Sequence, residues 1–204
     1  MQTRTPFFLS IAAGLLIGIG GSVFLACENR YVGAVLFSVA LLSICYQGLF
    51  LYTGKIGYIA WQHDRQSITA VVITLAGNLI GTLAAGLSAG VMKPAYVETA
   101  RTLCEKKLAM APLQVLIAGV FCGMLMYLAV EIYKSKQTPV GILFCVPVFI
   151  LSGFEHSIAD LFYFFTARIV NGEMAWFLLL VVVGNSVGGM LIPWLKMAAG
   201  EKHG

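Results

Sequence analysis

Charge is scarce in this chain. Only 11% of its 204 residues are Asp, Glu, Lys or Arg, less than half of the roughly 25% usual in a soluble domain. That scarcity excludes most cytosolic enzymes, disordered chains and nucleic-acid binders. The 13 Lys and Arg against 9 Asp and Glu give a net charge of +4. They form no basic patch, so no nucleic-acid partner is expected. A disulfide framework and a metal cluster are missing too. Cys27, Cys45, Cys104, Cys122 and Cys145 are odd in number, widely spaced and mostly in apolar surroundings, and read as small packing residues. One buried carboxylate and one histidine, without metal-ligand spacing or a nucleophile, are thin support for an enzyme. No catalytic residue, metal or cofactor is therefore assigned.

What the chain has is apolar. Hydrophobic residues make up 59% of it and glycines number 22, with a mean hydropathy of +0.89. A membrane helix needs roughly 20 apolar residues. Charged residues divide the chain into six apolar segments: about Pro6–Cys27, Tyr31–Trp61, Ser67–Met92, Met110–Tyr133, Thr138–Ala167 and Met174–Leu195. This predicts an all-α membrane protein of six transmembrane helices in the lipid bilayer, one domain over residues 1–204, with a polar linker at about 93–109.

Two segments are too long for plain spans. The second and fifth run to about 30 residues, some 45 Å as continuous helix against a hydrocarbon core of about 30 Å. Tyr52-Thr53-Gly54-Lys55-Ile56-Gly57 interrupts the one, and Ser152-Gly153-Phe154-Glu155-His156, then Asp160, the other. Irregular backbone at membrane depth survives only inside protein or against a polar cavity, so paired breaks point to a solute pathway. The helix after each break carries one motif, Gly77-Asn78-Leu79-Ile80-Gly81 and Gly184-Asn185-Ser186-Val187-Gly188. Repeat one (about 6–92) and repeat two (about 110–195) then hold three spans each and are inverted in the membrane, an aquaporin-like plan.

Even parity sets both termini on one side, taken as cytoplasmic. Arg4, Arg65, Lys134, Lys136, Lys196 and Lys202 then lie inside, and Arg30, Lys93, Arg101, Lys106, Lys107 and Arg168 outside, with Lys55 left in a break. That balance leaves the orientation open.

A carboxylate at mid-membrane costs at least roughly 2.5–3.5 kcal/mol and needs a partner or a purpose. Glu155 reads as accepting backbone N–H groups at a half-helix N-terminus. His156 reads as functional, because it sits at the break and an imidazole exchanges protons near neutral pH. Thr53 could orient that ring, hydrogen-bond an oxyanion, or cap the backbone.

These residues carry a family resemblance. Gly48-Leu49-Phe50-Leu51-Tyr52-Thr53-Gly54 resembles the second-helix break of the formate/nitrite transporter family, and Ser152-Gly153-Phe154-Glu155-His156-Ser157-Ile158-Ala159 its most specific motif. The two Gly-Asn helices and Tyr127-Leu128-Ala129-Val130 match as well. The resemblance implies a homopentamer in a prokaryotic inner or plasma membrane, each protomer with its own pore for a small anion. Candidates are formate, nitrite, hydrosulfide or a short carboxylate. It makes His156 similar to the central pore histidine, Thr53 to the threonine facing it, and Lys107 to a vestibule lysine that attracts anions. Phe37 and Phe149 fall at the outer constriction, and Leu41, Leu51 and Tyr52 at the other.

Two positions depart from the family. Asp160 and Gly123 stand where asparagines are usual. An ionised Asp160 would repel an anion, whereas a protonated one would mimic asparagine, and Gly123 would open room for water or loosen the pore loop. A bare anion in a dry pore is costly and its neutral acid is not. The expected function is therefore proton-coupled passage of a weak acid near His156, formate first, nitrite or hydrosulfide next. An aquaporin-like channel for neutral solutes is the reading of another class, though no Asn-Pro-Ala pair is present.

Overall fold

The computed structural model describes residues 4–201, so Lys202 of the charge comparison lies outside the described residues. Those residues form helices and no strand. Four helices are long and apolar enough to cross a membrane: α1 (Arg4–Ala26, its qualifying part Thr5–Ala26), α4 (Arg65–Met92), α6 (Pro112–Lys136) and α9 (Gly172–Ala198). Between them lie α2 (Arg30–Tyr46), α3 (Tyr52–Lys55) with a 3-10 turn at Ile56–Ala60, α5 (Pro94–Leu108), α7 (Val140–Ser152) and α8 (Ser157–Ala167). α7 and α8 meet the membrane criterion as a pair, although their axes bend by 55°.

The polar residues between apolar segments start the helices. Asn29 Oδ1 accepts the Tyr31 and Val32 N–H groups, and Asn171 Oδ1 that of Met174. Asp64 does the same for α4 with Gln66 and Ser67. The Ser67 hydroxyl and amide hold the Asp64 carboxyl below its usual range. Each cap satisfies amide donors that the first helical turn leaves unpaired.

Where apolar residues cannot drive association in lipid, close backbone contact does, and glycine permits it. α1 packs along α4, and α6 along α9. A Cβ on Gly14 would stand 3.0 Å from Gly81 Cα, and one on Gly119 3.1 Å from Gly184 Cα. Gly14 and Gly123 correspond in the two halves, each lying against the carbonyl oxygen of a motif asparagine, Asn78 or Asn185. A side chain at 123 would run into the α9 backbone. Gly123 therefore opens no room for water, contrary to expectation: its space is already filled. On the outside, large apolar side chains such as Phe8, Phe144 and Trp176 stay more than half exposed, as a surface meeting lipid or another apolar partner must.

α2 and α7 end alike. Gly48 and Gly153 adopt left-handed φ of +63° and +72°, a region that glycine enters without steric penalty. Just beyond, Leu49 N–H returns to Ile44 O and Phe154 N–H to Phe149 O, both at 2.9 Å. This is the Schellman closure of a helix. The chain then runs extended through Leu51 and through His156. In the fifth segment α7 ends at Ser152 and α8 begins at Ser157, so Asp160 lies within a helix and not in the irregular stretch. In the second the interruption comes earlier than the sequence predicts, at 47–51, and Thr53 sits in a helical turn rather than in the irregular stretch, because Gly48, and not Gly54, has the left-handed backbone.

Candidate functional site

Each motif asparagine ties one irregular stretch to the helix beside it. Asn78 Oδ1 accepts the Tyr52 N–H at 2.8 Å, while Nδ2 donates to Ser10 O (2.7 Å) and Phe50 O (2.9 Å). Asn185 Oδ1 accepts the Ser157 N–H at 2.9 Å, and its Nδ2 donates to Gly119 O and Glu155 O, both at 2.8 Å. Both side chains are fully buried. Tyr52 N–H, Phe50 O, Ser157 N–H and Glu155 O are thus paired inside the protein, as buried irregular backbone requires.

His156 then becomes the N-cap of α8. Its Nδ1 accepts the Ala159 N–H at 3.1 Å, and its Nε2 lies 2.8 Å from Thr53 Oγ1. An accepting Nδ1 carries no proton, so the ring is the neutral tautomer with its proton on Nε2, donated to Thr53. The Thr53 hydroxyl keeps its own hydrogen, for which no acceptor exists among the described residues. Phe149 stacks on the imidazole at 5.5 Å between centroids, and Phe37 meets Phe149 edge-on at 6.2 Å. Phe37, Phe149, Thr53 and His156 are all buried.

Cavities lie on either side of this pair. One of about 450 Å³ is bounded by Phe37, Phe149, His156, Glu155, Asp160 and Lys107. Another, of about 190 Å³, is bounded by Leu41, Leu51, Gly54 and Lys55. Arg30 lines the first and Cys45 the second; α2 separates these residues by about 22 Å at 1.5 Å per residue. The cavities therefore sit near opposite ends of α2. A further space of about 540 Å³ shares Lys55 and Lys134 with the smaller one. Tyr52, grouped with Leu41 and Leu51 in the sequence, turns its hydroxyl away to Ser186 of α9 at 2.7 Å.

Lys107 is no isolated vestibule cation. Its Nζ bonds Glu155 Oε2 and lies 2.9 Å from Asp160 Oδ1. Burial works against charge on Lys107, but Asp160 and Glu155 outweigh it and hold the ammonium above the usual lysine range. One ammonium facing two carboxyl groups lends the cavity no net positive charge. Glu155 meets a lysine side chain here, not the helix N-terminus expected for it; that position is taken by His156. Arg30 and Lys106 line the same cavity. In the sequence both are charges of polar stretches between apolar segments, with no spacing or motif to mark them.

The family model described as "Formate/nitrite transporter" matches residues 1–198. The chain is 29% identical over 186 residues to the uncharacterized transporter YwcJ of Bacillus subtilis, covering 79% of this chain and 73% of that one. It is 24% identical to the nitrite transporter NirC of Escherichia coli over 217 residues, covering 93% and 81%. Among solved structures it resembles a pentameric formate channel with formate bound, with a TM-score of 0.78, 22% identity and 98% of each chain covered. It also resembles an FNT family ion channel, with a TM-score of 0.84, 21% identity, and 97% and 91% covered. These proteins are channels and transporters, not enzymes. The fold is theirs, and with the whole-chain match it settles the lineage: the chain belongs to the formate/nitrite transporter family.

Proposed function

We propose that the protein is a channel for small monovalent weak-acid anions, formate first, in which the anion crosses as its neutral acid beside Thr53 and His156. On this reading six spans form two inverted repeats, α2–α3 and α7–α8 being the broken ones. The unit is a homopentamer in a prokaryotic inner or plasma membrane, with cytoplasmic termini. The observation that carries it is the 2.8 Å contact between Thr53 Oγ1 and His156 Nε2, buried between two cavities.

A carboxylate entering a dry constriction loses most of its hydration, a penalty its neutral acid largely avoids. Phe37 and Phe149 form one apolar wall, Leu41 and Leu51 the other. At the centre His156 Nε2–H polarises the Thr53 hydroxyl, whose free hydrogen is directed to the passing oxygen. That donor holds the anion until it takes a proton from entry-side water, which leaves hydroxide there; the neutral acid then crosses and returns the proton to water on the far side, and His156 keeps its cap on α8 throughout. Arg30 and Lys106 concentrate anions at the outer cavity. A relative named as a nitrite transporter keeps nitrite beside formate as a candidate.

The test is uptake of formate, nitrite, hydrosulfide and acetate into proteoliposomes at two pH values, with stopped-flow swelling in uncharged solutes as the contrast. Coupled formate uptake by the wild type, abolished in His156→Phe, is the expected result. Equal flux and an equal pH profile in that variant would exclude the central histidine from the mechanism. Swelling without anion flux would favour the neutral-solute channel.

A further inference from the structure

Lys55 and Lys134 have no part in the transport reading above. Lys55 ends α3, half-buried, and Lys134 lies exposed in the last turn of α6. Both line the space of about 540 Å³ and the cavity of about 190 Å³ that it adjoins. The other end of α6 marks the opposite mouth, since Met110, just before it, lines the cavity that holds Lys107.

We propose that Lys55 and Lys134 form a second anion-binding site, at the mouth opposite Lys107, which takes one small monovalent anion such as a short carboxylate. The proposal rests on the channel reading above. Among the described residues neither ammonium has an ion-pair partner. Each lies over an aromatic ring instead, Lys55 Nζ 3.6 Å from the Phe50 centroid and Lys134 Nζ 3.8 Å from that of Tyr58. A ring face attracts a cation without neutralising it, so both remain open to a counter-ion. The carboxylate in the same space, Glu131, accepts the Tyr58 hydroxyl at 2.8 Å. Two ammoniums against one carboxylate leave a single positive charge, which sets the ligand's valence at one.

The contrast with Lys107 is instructive, because two carboxyl groups face that ammonium. A lysine within an apolar segment is expensive to keep and marks a solute route more often than a fold contact. Here Lys134 stands at the rim and Lys55 deeper, in the cavity walled by Leu41 and Leu51. An anion held at the rim can pass to Lys55 before it loses its remaining water.

The test compares wild type with Lys55→Gln, Lys134→Gln and the double variant in liposomes of phosphatidylcholine alone, by initial rates of labelled formate uptake against concentration. The expected result for the double variant is a half-saturating concentration raised about tenfold, the scale of one partly solvated charge contact, with the maximal rate changed less than about twofold. The exposed Lys134→Gln variant gives part of the shift, and Lys55→Arg with Lys134→Arg keeps the wild-type value. An unchanged half-saturation in a variant that still transports overturns the site, as does an equal shift in the Arg variants. A shift seen only when phosphatidylglycerol is added would assign these lysines to a lipid headgroup and overturn the proposal too. Absence of formate flux in the wild type would instead reject the channel reading itself.

Discussion

Asn78 and Asn185 make the same three hydrogen bonds from corresponding places in the two halves of the chain: one amide accepted just past an irregular stretch, one carbonyl bound within it, and one carbonyl bound in the neighbouring long helix. Replacing Asn185 by Ala leaves the Ser157 amide and the Glu155 carbonyl buried without this partner, at about 1–3 kcal/mol each, while Gly119 O keeps its own bond within α6. The thermal unfolding midpoint of the detergent-purified protein is expected to fall by roughly 5–10 °C, and Asn78→Ala to match it. A midpoint that stays put would show that the ties are dispensable.

Thr53→Val keeps the side-chain shape and removes the one acceptor that His156 Nε2 has among the described residues. The variant should fold with a midpoint lowered by only about 2–4 °C, the cost of one unpaired buried N–H, yet carry formate about tenfold more slowly, the size of a lost hydrogen bond of about 1.4 kcal/mol. Thr53→Ser should restore the rate. Equal loss in both would point to packing and not to the hydroxyl.

Asp160→Asn keeps an oxygen for Lys107 and removes one acid from the vestibule. Formate uptake at neutral pH should rise by about threefold to tenfold where the Asp160 carboxyl is ionised and opposes the anion, and stay unchanged where it is protonated and already resembles asparagine. A lower rate would mean that Asp160 serves the anion's entry and does not oppose it. Because the Lys107 pKa is raised in the folded state, its contribution to stability is complete below the unfolded value of about 10.4 and is lost only as the pH climbs through the folded one. Unfolding midpoints should therefore show no Lys107-dependent change between neutral pH and pH 9 when wild type is compared with Lys107→Met.

Gly123→Asn installs the residue usual in the family. Here its Cβ meets the Asn185 carbonyl, and overpacking of this kind costs about 1–3 kcal/mol. Reduced yield and an earlier unfolding transition are the expected readouts. A variant as stable as wild type would mean that α6 and α9 separate readily.

Hydropathy exposed the long helices in the sequence because lipid contact demands apolar length, and the 55° bend between α7 and α8 follows from Gly153 in a segment too long to stay straight. The second segment was harder to place. Gly48 and Gly54 read alike as letters, and only the backbone reveals that Gly48 turns left-handed. The motif glycines were legible as packing residues, whereas the reach of Asn78 across 26 residues to Tyr52 depends on how the helices dock. The pairing of Thr53 with His156, 103 residues apart, was suggested by the family resemblance and could not come from spacing. The ion pairs of Lys107 were hidden for the opposite reason: a lysine in a polar linker looks like a surface charge until α5 is laid against α8.

The cap that His156 places on α8 also governs how the ring meets soft metal ions. An imidazole binds zinc, copper or silver through an unshared nitrogen lone pair. Here Nδ1 has committed its pair to the Ala159 amide and Nε2 carries the proton. His156 is thereby resistant to such ions, since a metal could bind Nδ1 only by unwinding the first turn of α8, or Nε2 only by displacing its proton.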